Sequence, residues 1–518
     1  MRAFKIPGLS AVLIAALCSM SMAAGGSGDV KAGYIYLDEE GNQSSYHPTF
    51  NLYEGPTISL QDFRYHFDNG MLMRANLNNI ILNNRNLNAS LAKPGLFDLR
   101  LAHDQFRRIY DFDGVSFTRR HQERGSLSIQ PVKYLKLFGG LLMMERSGTT
   151  TDLFEPTLVS ETVDIDYKRS YYNVGAQVNY EGSMVLGEYR GDKFTDNNDA
   201  DRDQTRNEYR FTGLFSCPRY DWVKLIGGFR HYETKFENTG FMISNNRGYG
   251  GGTVALPQNL TLKYVGILDR TSSDSDFVAT DNMSHVGYAS WELPTQFGLT
   301  VGYQYDVNDD FEDEIRSNSI FLGGFVNIME GLEARGDYGN RKEEIEDGVR
   351  LVGDEDRDRF RFSLKYRNEK YGSIAFKMTS MIRKNDQIGA KSDFYRYAVD
   401  AVLTGFKYGI LNVGYAHTQG AYENTVEGFD FRDHLVFGDV TLKEYRGLTL
   451  GGGAQYYRGK HDSDIEHFNI TARAAYRFYQ DYRLEAKYSA YNFDDLLVWD
   501  EYYTANVIEV SLIRGLSF

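Results

Sequence analysis

The pattern closest to a ligand site is the acidic stretch "DNNDADRDQ". Asp199, Asp201 and Asp203 stand two residues apart, as the first ligands of a calcium loop do. Such a loop also needs glycine at its sixth position and glutamate at its twelfth, where this chain has Gln204 and Arg210. The pattern therefore favours a solvated acidic loop over a calcium site.

The remaining candidates for chemistry are weaker still. His461 and His467 bracket three carboxylates, but nothing in the pattern fixes a ligand spacing. The chain has no Gly-x-Ser-x-Gly elbow and no phosphate-binding loop. Single His, Asp and Ser residues of neighbouring strands could still meet, so that alternative stays open. We expect no catalytic, cofactor-binding or metal-binding residue, and no enzyme activity.

The first 23 residues read as a secretory signal. Arg2 and Lys5 precede an apolar run at 9–17, and Ser21-Met22-Ala23 gives small residues at a cleavage site. The mature chain then has one cysteine, Cys217, and can form no internal disulfide. It has no Cys-x-x-Cys-His, so it attaches no c-type haem of its own.

Alternation with a period of two dominates the rest of the 518 residues. In "FNITARAAYRF", Phe468, Ile470 and Tyr476 fall on one face, whereas Asn469 and Arg473 fall on the other. This pattern predicts a strand with one apolar and one polar face. No run approaches the ~18–20 apolar residues of a membrane helix, and the net charge of -14 argues against a nucleic-acid partner.

The connections between the predicted strands alternate between two lengths, as in an outer-membrane barrel with short periplasmic turns and long external loops. Short turns lie at 91–95, 180–183, 256–259, 328–331, 367–372, 404–409 and 443–447, and long, mostly acidic segments at 192–208, 269–282, 306–318, 340–359, 418–434 and 458–467.

The sequence therefore predicts an all-β protein, a transmembrane antiparallel up-and-down barrel of about 26 strands in the outer membrane of a Gram-negative bacterium. Residues 1–23 are the signal peptide, 24–57 a periplasmic N-terminal segment that can hold a first strand, and 58–518 the barrel. The C-terminal Phe518 is expected to serve as the assembly signal. The apolar face should meet lipid and the charged face the lumen.

The polar faces of several strands carry dense charge of both signs. Such residues either pair with one another on a solvated pore wall or form a contact surface for a partner. The candidate contacts are Glu333, Arg335, Arg359, Arg361, Lys365, Arg473, Arg477, Glu485 and Lys487.

The width of the predicted barrel demands an occupant. Barrels of ~16–18 strands already leave an aqueous channel, and those of ~22 strands are plugged. About 30 residues separate the signal from the strand array, and the loops are too short for a stable plug domain. We therefore expect a partner inside the lumen.

The segment Phe63–Phe117 resembles the N-terminal region of the MtrB/PioB family, the barrel sheaths of porin–cytochrome conduits. The shared features are an Asp-Asn-Gly turn, an Asn-Arg-x-Leu strand, a hairpin at Pro94 and Gly95, and a strand ending in "HDQFRR". Beyond these 55 residues the likeness is architectural. Some members carry an N-terminal Cys-x-x-Cys, whereas 29–54 here contains no cysteine.

This resemblance implies that the barrel holds a periplasmic multihaem c-type cytochrome across the membrane for extracellular electron transfer. A second cytochrome can bind at the outer surface. The haems would belong to the partner and not to this chain. The alternative is a diffusion or solute-specific channel constricted by an infolded loop.

Overall fold

The structure is a computed structural model that describes most of the chain. The predicted signal peptide and the predicted assembly signal at Phe518 lie outside the described residues. The described residues are 25–46, 49–151, 162–217, 219–274, 279–293, 295–310, 314–345, 356–386, 388–405, 407–424, 428–462, 464–497 and 501–517.

Twenty-six strands follow one another along the chain. The first thirteen are β1 (Gly26–Gly41), β2 (Gly55–His66), β3 (Leu72–Asn78), β4 (Asn86–Lys93), β5 (Phe97–Ile109), β6 (Phe117–Val132), β7 (Leu135–Thr151), β8 (Thr162–Tyr180), β9 (Ser183–Asp196), β10 (Gln204–Cys217), β11 (Tyr220–Phe236), β12 (Met242–Leu256) and β13 (Leu260–Ser273). The others are β14 (Ala279–Leu293), β15 (Phe297–Asp310), β16 (Glu314–Met329), β17 (Leu332–Ile345), β18 (Asp356–Asn368), β19 (Gly372–Asn385), β20 (Ala390–Leu403), β21 (Gly409–Glu423), β22 (Gly428–Leu442), β23 (Leu448–His461), β24 (Ile465–Tyr479), β25 (Tyr482–Asp495) and β26 (Tyr502–Ser517).

These strands close into one barrel. Each strand pairs antiparallel with the next along the chain, as β17 does with β18 and β25 with β26. The first and last strands also pair, from Ser27 opposite Ser517 to Gly41 opposite Tyr503. The prediction of an up-and-down antiparallel barrel of about 26 strands is confirmed. None of the helices in the described part of the chain is long and apolar enough to cross a membrane.

The two ends of the barrel differ, but the strands extend further than the sequence predicts. The turn that follows each even-numbered strand has two to five residues, and the connection that follows each odd-numbered strand has three to thirteen. Much of the polar segment predicted as a loop at 192–208 is strand, because β9 runs to Asp196 and β10 begins at Gln204. The hydrogen-bond ladder thus continues beyond the ~9–11 residues that a membrane requires.

The strands of the wall are short at one place near the seam, which is the pairing of β1 with β26. Strands β3 and β4 have seven and eight residues, whereas β5 has thirteen. The loop after β1, residues 42–54, reaches this gap through its described residues 49–54. Asn51 donates from Nδ2 to the carbonyl oxygen of Gln105 at 3.3 Å and accepts from the backbone N–H of Arg107 at 3.0 Å. Backbone groups of β5 that β4 leaves unpaired are satisfied in this way.

The seam between β1 and β26 has no room for a side chain at Gly33. A Cβ atom there would lie 2.4 Å from the carbonyl oxygen of Val510 and 2.8 Å from the Cβ of Ser511. We predict that Gly33→Ala lowers the free energy of unfolding by about 1–3 kcal/mol, because overpacking forces the paired backbones apart. Urea unfolding of the refolded barrel in lipid vesicles measures it.

Gly287→Ala is the control, since a Cβ at Gly287 would meet no atom within 4 Å. Equal unfolding midpoints for the two variants would contradict the close approach at the seam.

Candidate functional site: the lumenal wall

The two faces of each strand differ in chemistry. On β18, Phe360 and Tyr366 are about two-fifths exposed and alternate with arginine and lysine. On β24 and β25, Tyr476 and Leu484 are about half exposed and likewise alternate with charged residues. An apolar exposed face must meet lipid in a membrane barrel, so the charged face lines the lumen.

The charges of β17 and β18 pair with one another. Glu333 and Arg335 lie on the same face of β17, with 2.6 Å between Oε1 and Nε. Asp337 accepts from Arg361 across the strands at 2.8 Å, and Arg359 lies 4.0 Å from the same carboxylate. Three basic and two acidic side chains therefore lie together on this part of the wall, and each has a partner of opposite sign within 4.0 Å.

Lys365 is the exception on this part of the wall. It stands directly opposite Glu333 in the register of β17 and β18, yet it makes no ion pair within the described residues. It is thus the one predicted contact whose charge the wall leaves free, while the other eight have partners of opposite sign.

A second group lies beside the seam. Glu485 on β25 accepts from Arg473 at 2.9 Å and from Lys31 at 3.3 Å. Lys487, two residues further along β25, donates to Glu509 of β26 at 2.9 Å. The structure brings predicted contacts together and adds Lys31 and Glu509, which sequence reasoning missed. The alternation of polar and apolar residues around Lys31 and Glu509 was visible in the sequence, but which charged residues they contact depends on how the barrel closes.

A recess in the wall carries an excess of positive charge. It has a volume of about 1160 Å³ and is lined by strands β2 to β8 and by the short turn at Pro94 and Gly95. None of its charged residues was identified from the sequence, because they are scattered over 73 positions of the chain and only strand register brings them together. Its basic side chains are Arg64, Arg74, Lys93, Arg100, Arg124 and Lys136.

The loop 42–54 also contacts the inner face of the barrel. Tyr46 donates to Oδ1 of Asn469 at 2.9 Å, bonds to His467, and stacks on Tyr503 with 6.1 Å between ring centroids. Burial raises the pKa of Tyr46 to about 12. The tyrosine therefore stays a neutral donor at any physiological pH and fastens the loop to the wall.

The weak metal candidates have other partners. Asp199 accepts from the backbone N–H of Asp201 at 3.1 Å, and Asp203 accepts from that of Asp196 at 2.7 Å. His461 lies 3.4 Å from Asp430, on the strand next to it. Among the residues that the structure describes, no group of three or more His, Cys, Asp or Glu side chains could hold a metal ion.

Comparison with known proteins shows the fold. No family model matches the chain, and no curated protein does. Among solved structures, the siderophore receptor PirA from Acinetobacter baumannii is 10% identical, with a TM-score of 0.50 over 96% of this chain and 81% of that one. A mutant of the ferric enterobactin receptor PfeA from Pseudomonas aeruginosa is 9% identical, with a TM-score of 0.50 over 95% and 81%. The chain is an outer-membrane β-barrel, and its structural neighbours are named as receptors and not as enzymes.

The half-buried ion pairs of the wall should matter more to stability than the exposed ones. The side chain of Glu485 is 12% exposed and faces two cations, so Glu485→Gln leaves Arg473 and Lys31 opposed. We predict a loss of about 1–3 kcal/mol in the free energy of unfolding, because Lys31, whose side chain is 18% exposed, keeps its desolvation cost and loses its counter-charge. Urea unfolding in vesicles measures it.

Glu444→Gln provides the matched control. Its partner Arg477 lies at 2.7 Å, but both side chains are more than two-fifths exposed. Exposed pairs of this kind contribute ~0–1 kcal/mol. A loss for Glu444→Gln as large as that for Glu485→Gln would contradict the ranking by burial.

Proposed function

We propose that this barrel is a scaffold that holds a periplasmic multihaem c-type cytochrome across the outer membrane for extracellular electron transfer. Electrons would pass along the haems of the partner, and the barrel would position and insulate them. A second cytochrome would dock on the outer rim. The observation that carries the proposal is a wall of 26 strands around a lumen that its own described loops cannot fill.

The lumen is wide enough for a folded protein. With strands ~4.8 Å apart and tilted by ~40°, a round wall of 26 strands would be about 50 Å across between backbones. Side chains reduce the free width to roughly 35–40 Å. A domain of ~100 residues has a radius of gyration of ~13 Å, which corresponds to a sphere about 33 Å across.

The described part of the chain contains little material to obstruct this opening. The longest connection between consecutive strands, residues 42–54, has thirteen residues and is bound to the wall at its own edge. A stable domain needs several times that length. An open lumen of this width would let periplasmic solutes escape, so the width itself argues for an occupant.

The chemistry of the wall suits a protein surface. Alternating acidic and basic side chains offer hydrogen-bond donors and acceptors to a polar partner, and exposed ion pairs exchange partners at low cost. A lipid-binding interior would instead present apolar side chains. The segment Phe63–Phe117, which resembles the MtrB/PioB family, supports a cytochrome as the partner.

The second candidate is a diffusion or solute-specific channel. The observation that favours it is the likeness of the fold to receptors for siderophores, which at 9–10% identity extends to architecture alone. A channel would need a constriction, and in the loop after β1 Tyr46 contacts the inner face of the wall.

Haem content separates the two candidates. We predict that the barrel, extracted gently from its native membrane through a C-terminal or loop tag, co-purifies with a protein that stains for covalent haem after denaturing electrophoresis. Protease added outside should leave that protein intact. A different tagged outer-membrane barrel from the same cells is the control.

A barrel that is haem-free in its native membrane and conducts small ions freely in planar bilayers would instead support the channel.

A further inference from the structure

Eight of the nine predicted contacts have a partner of opposite sign, whereas most basic side chains of the recess at β2 to β8 have none within the described residues. Its lining includes six basic side chains and two acidic ones, Asp62 and Asp98. Among the residues that the structure describes, Arg100 is the one of the six with an ion-pair partner, and it donates two hydrogen bonds of 2.7 and 3.0 Å to Asp98. Arg64, Arg74 and Lys136 make no ion pair within the described ranges. The recess is therefore a local concentration of positive charge in a chain whose net charge is -14.

The arrangement costs energy in the free barrel. Arg64 on β2 and Arg74 on β3 stand directly opposite each other in register. Like charges at opposed positions of neighbouring strands destabilise the pair. Arg124 on β6 has as its hydrogen-bond partner Gln122, a neutral side chain, at 3.4 Å. An anionic occupant would remove this repulsion, and nothing described in the wall does.

The spread of the charges indicates the kind of anion. They lie on β2, β3, β4, β5, β6 and β7, so the outermost are separated by five strand spacings, or about 24 Å. A phosphate or a small carboxylate contacts two or three arginines at once and leaves the others unpaired. A protein surface with several carboxylates can satisfy all of them.

The position of the recess indicates the side of approach. Pro94, Gly95 and Leu96 belong to the short turn after β4 and form part of its lining. The short turns face the periplasm, so the recess opens at the periplasmic mouth. Positive charge at a mouth attracts an acidic partner and increases its association rate.

We infer that this recess, built around Arg64, Arg74, Arg100 and Arg124, is the docking site for a carboxylate-rich surface of the protein that occupies the lumen. The inference rests on the proposed function in so far as it needs a folded occupant. It adds where that occupant binds and which charge it carries there.

The test uses the full barrel in planar bilayers, with poly-L-glutamate as the probe on the short-turn side. The wild-type barrel should lose conductance at low probe concentration, and the block should weaken steeply between 0.05 and 0.3 M salt on a scale set by the Debye length, ~14 to ~6 Å. The triple variant Arg64→Gln, Arg74→Gln, Arg124→Gln should need at least ~10-fold more probe, because each lost contact with a carboxylate is a charge-assisted hydrogen bond.

Lys133→Gln, Lys370→Gln, Lys407→Gln is the matched control. It removes three positive charges from short turns at the same end, outside the recess. Its block should stay within twofold of the wild type. Both variants must show the heat-dependent electrophoretic shift of a folded barrel. We expect the arginine variant to fold, because it removes the like-charge contact between Arg64 and Arg74.

Three results would overturn the inference. The probe could fail to block conductance through the wild-type barrel, or it could block the two variants equally. Displacement of the probe by equimolar inorganic phosphate would instead make the recess a site for small anions. Haem staining of the arginine variant from its native membrane separates the two proposals. If the arginine variant keeps as much cytochrome as the wild type in 0.3 M salt, the recess is not the docking site, and the proposed function still stands. If the wild-type barrel itself carries no cytochrome, the proposed function is refuted.

Discussion

The backbone hydrogen-bond ladder of this barrel must close on itself before any other part of the wall can form. In hydrocarbon an unpaired N–H or C=O group costs several kcal/mol, so a sheet can span a membrane only when its edges meet. Here the edges are β1 and β26, which pair over fifteen registered positions. Gly33 lets the two backbones approach, and the loop 42–54 satisfies β5 where β3 and β4 are short. Every lumenal neighbour relation follows from that closure.

Closure with 26 strands leaves a wide lumen. Its wall presents two kinds of surface. Over β17, β18 and the seam, most charged side chains are paired with one of opposite sign. At β2 to β8, six basic side chains outnumber two acidic ones, and most of the basic ones make no ion pair within the described residues. A wall whose charges are already paired tolerates contact with many surfaces, whereas a recess of excess positive charge selects an acidic one, and together they suit an occupant held in a defined orientation.

Much of the fold could be predicted from the sequence because a barrel strand carries its own signal. Alternation such as that of Phe468 to Phe478 identifies the strand and both of its faces without reference to any other part of the chain. The polar extensions of strands such as β9 and β10 carry no such signal, because both faces are wet above the membrane, and they were predicted as loops. The segment 24–57 was assigned to a periplasmic segment that can hold a first strand, and Gly26–Gly41 is a strand of the wall.

The site was predictable only in part, for a related reason. Arg359, Arg361 and Lys365 could be assigned to the polar face of their strand, but their partners depend on register with β17, which one sequence does not encode locally. The recess was missed altogether. Arg64 and Arg74 become neighbours only through the bulge in β2, where the register with β3 shifts between Leu60 and Phe63. Side chains that share a face can be read from spacing, but those that meet across strands require the assembled sheet.

Imaging the lumen would show whether a second polypeptide fills it. Single-particle cryo-electron microscopy of the barrel, transferred from its native membrane into nanodiscs without denaturant, would show what lies within the 26 strands. We expect continuous protein density inside the barrel, with a chain of compact, strongly scattering haem centres reaching from one mouth to the other. An empty lumen, or one filled by residues of this same chain, would contradict this expectation.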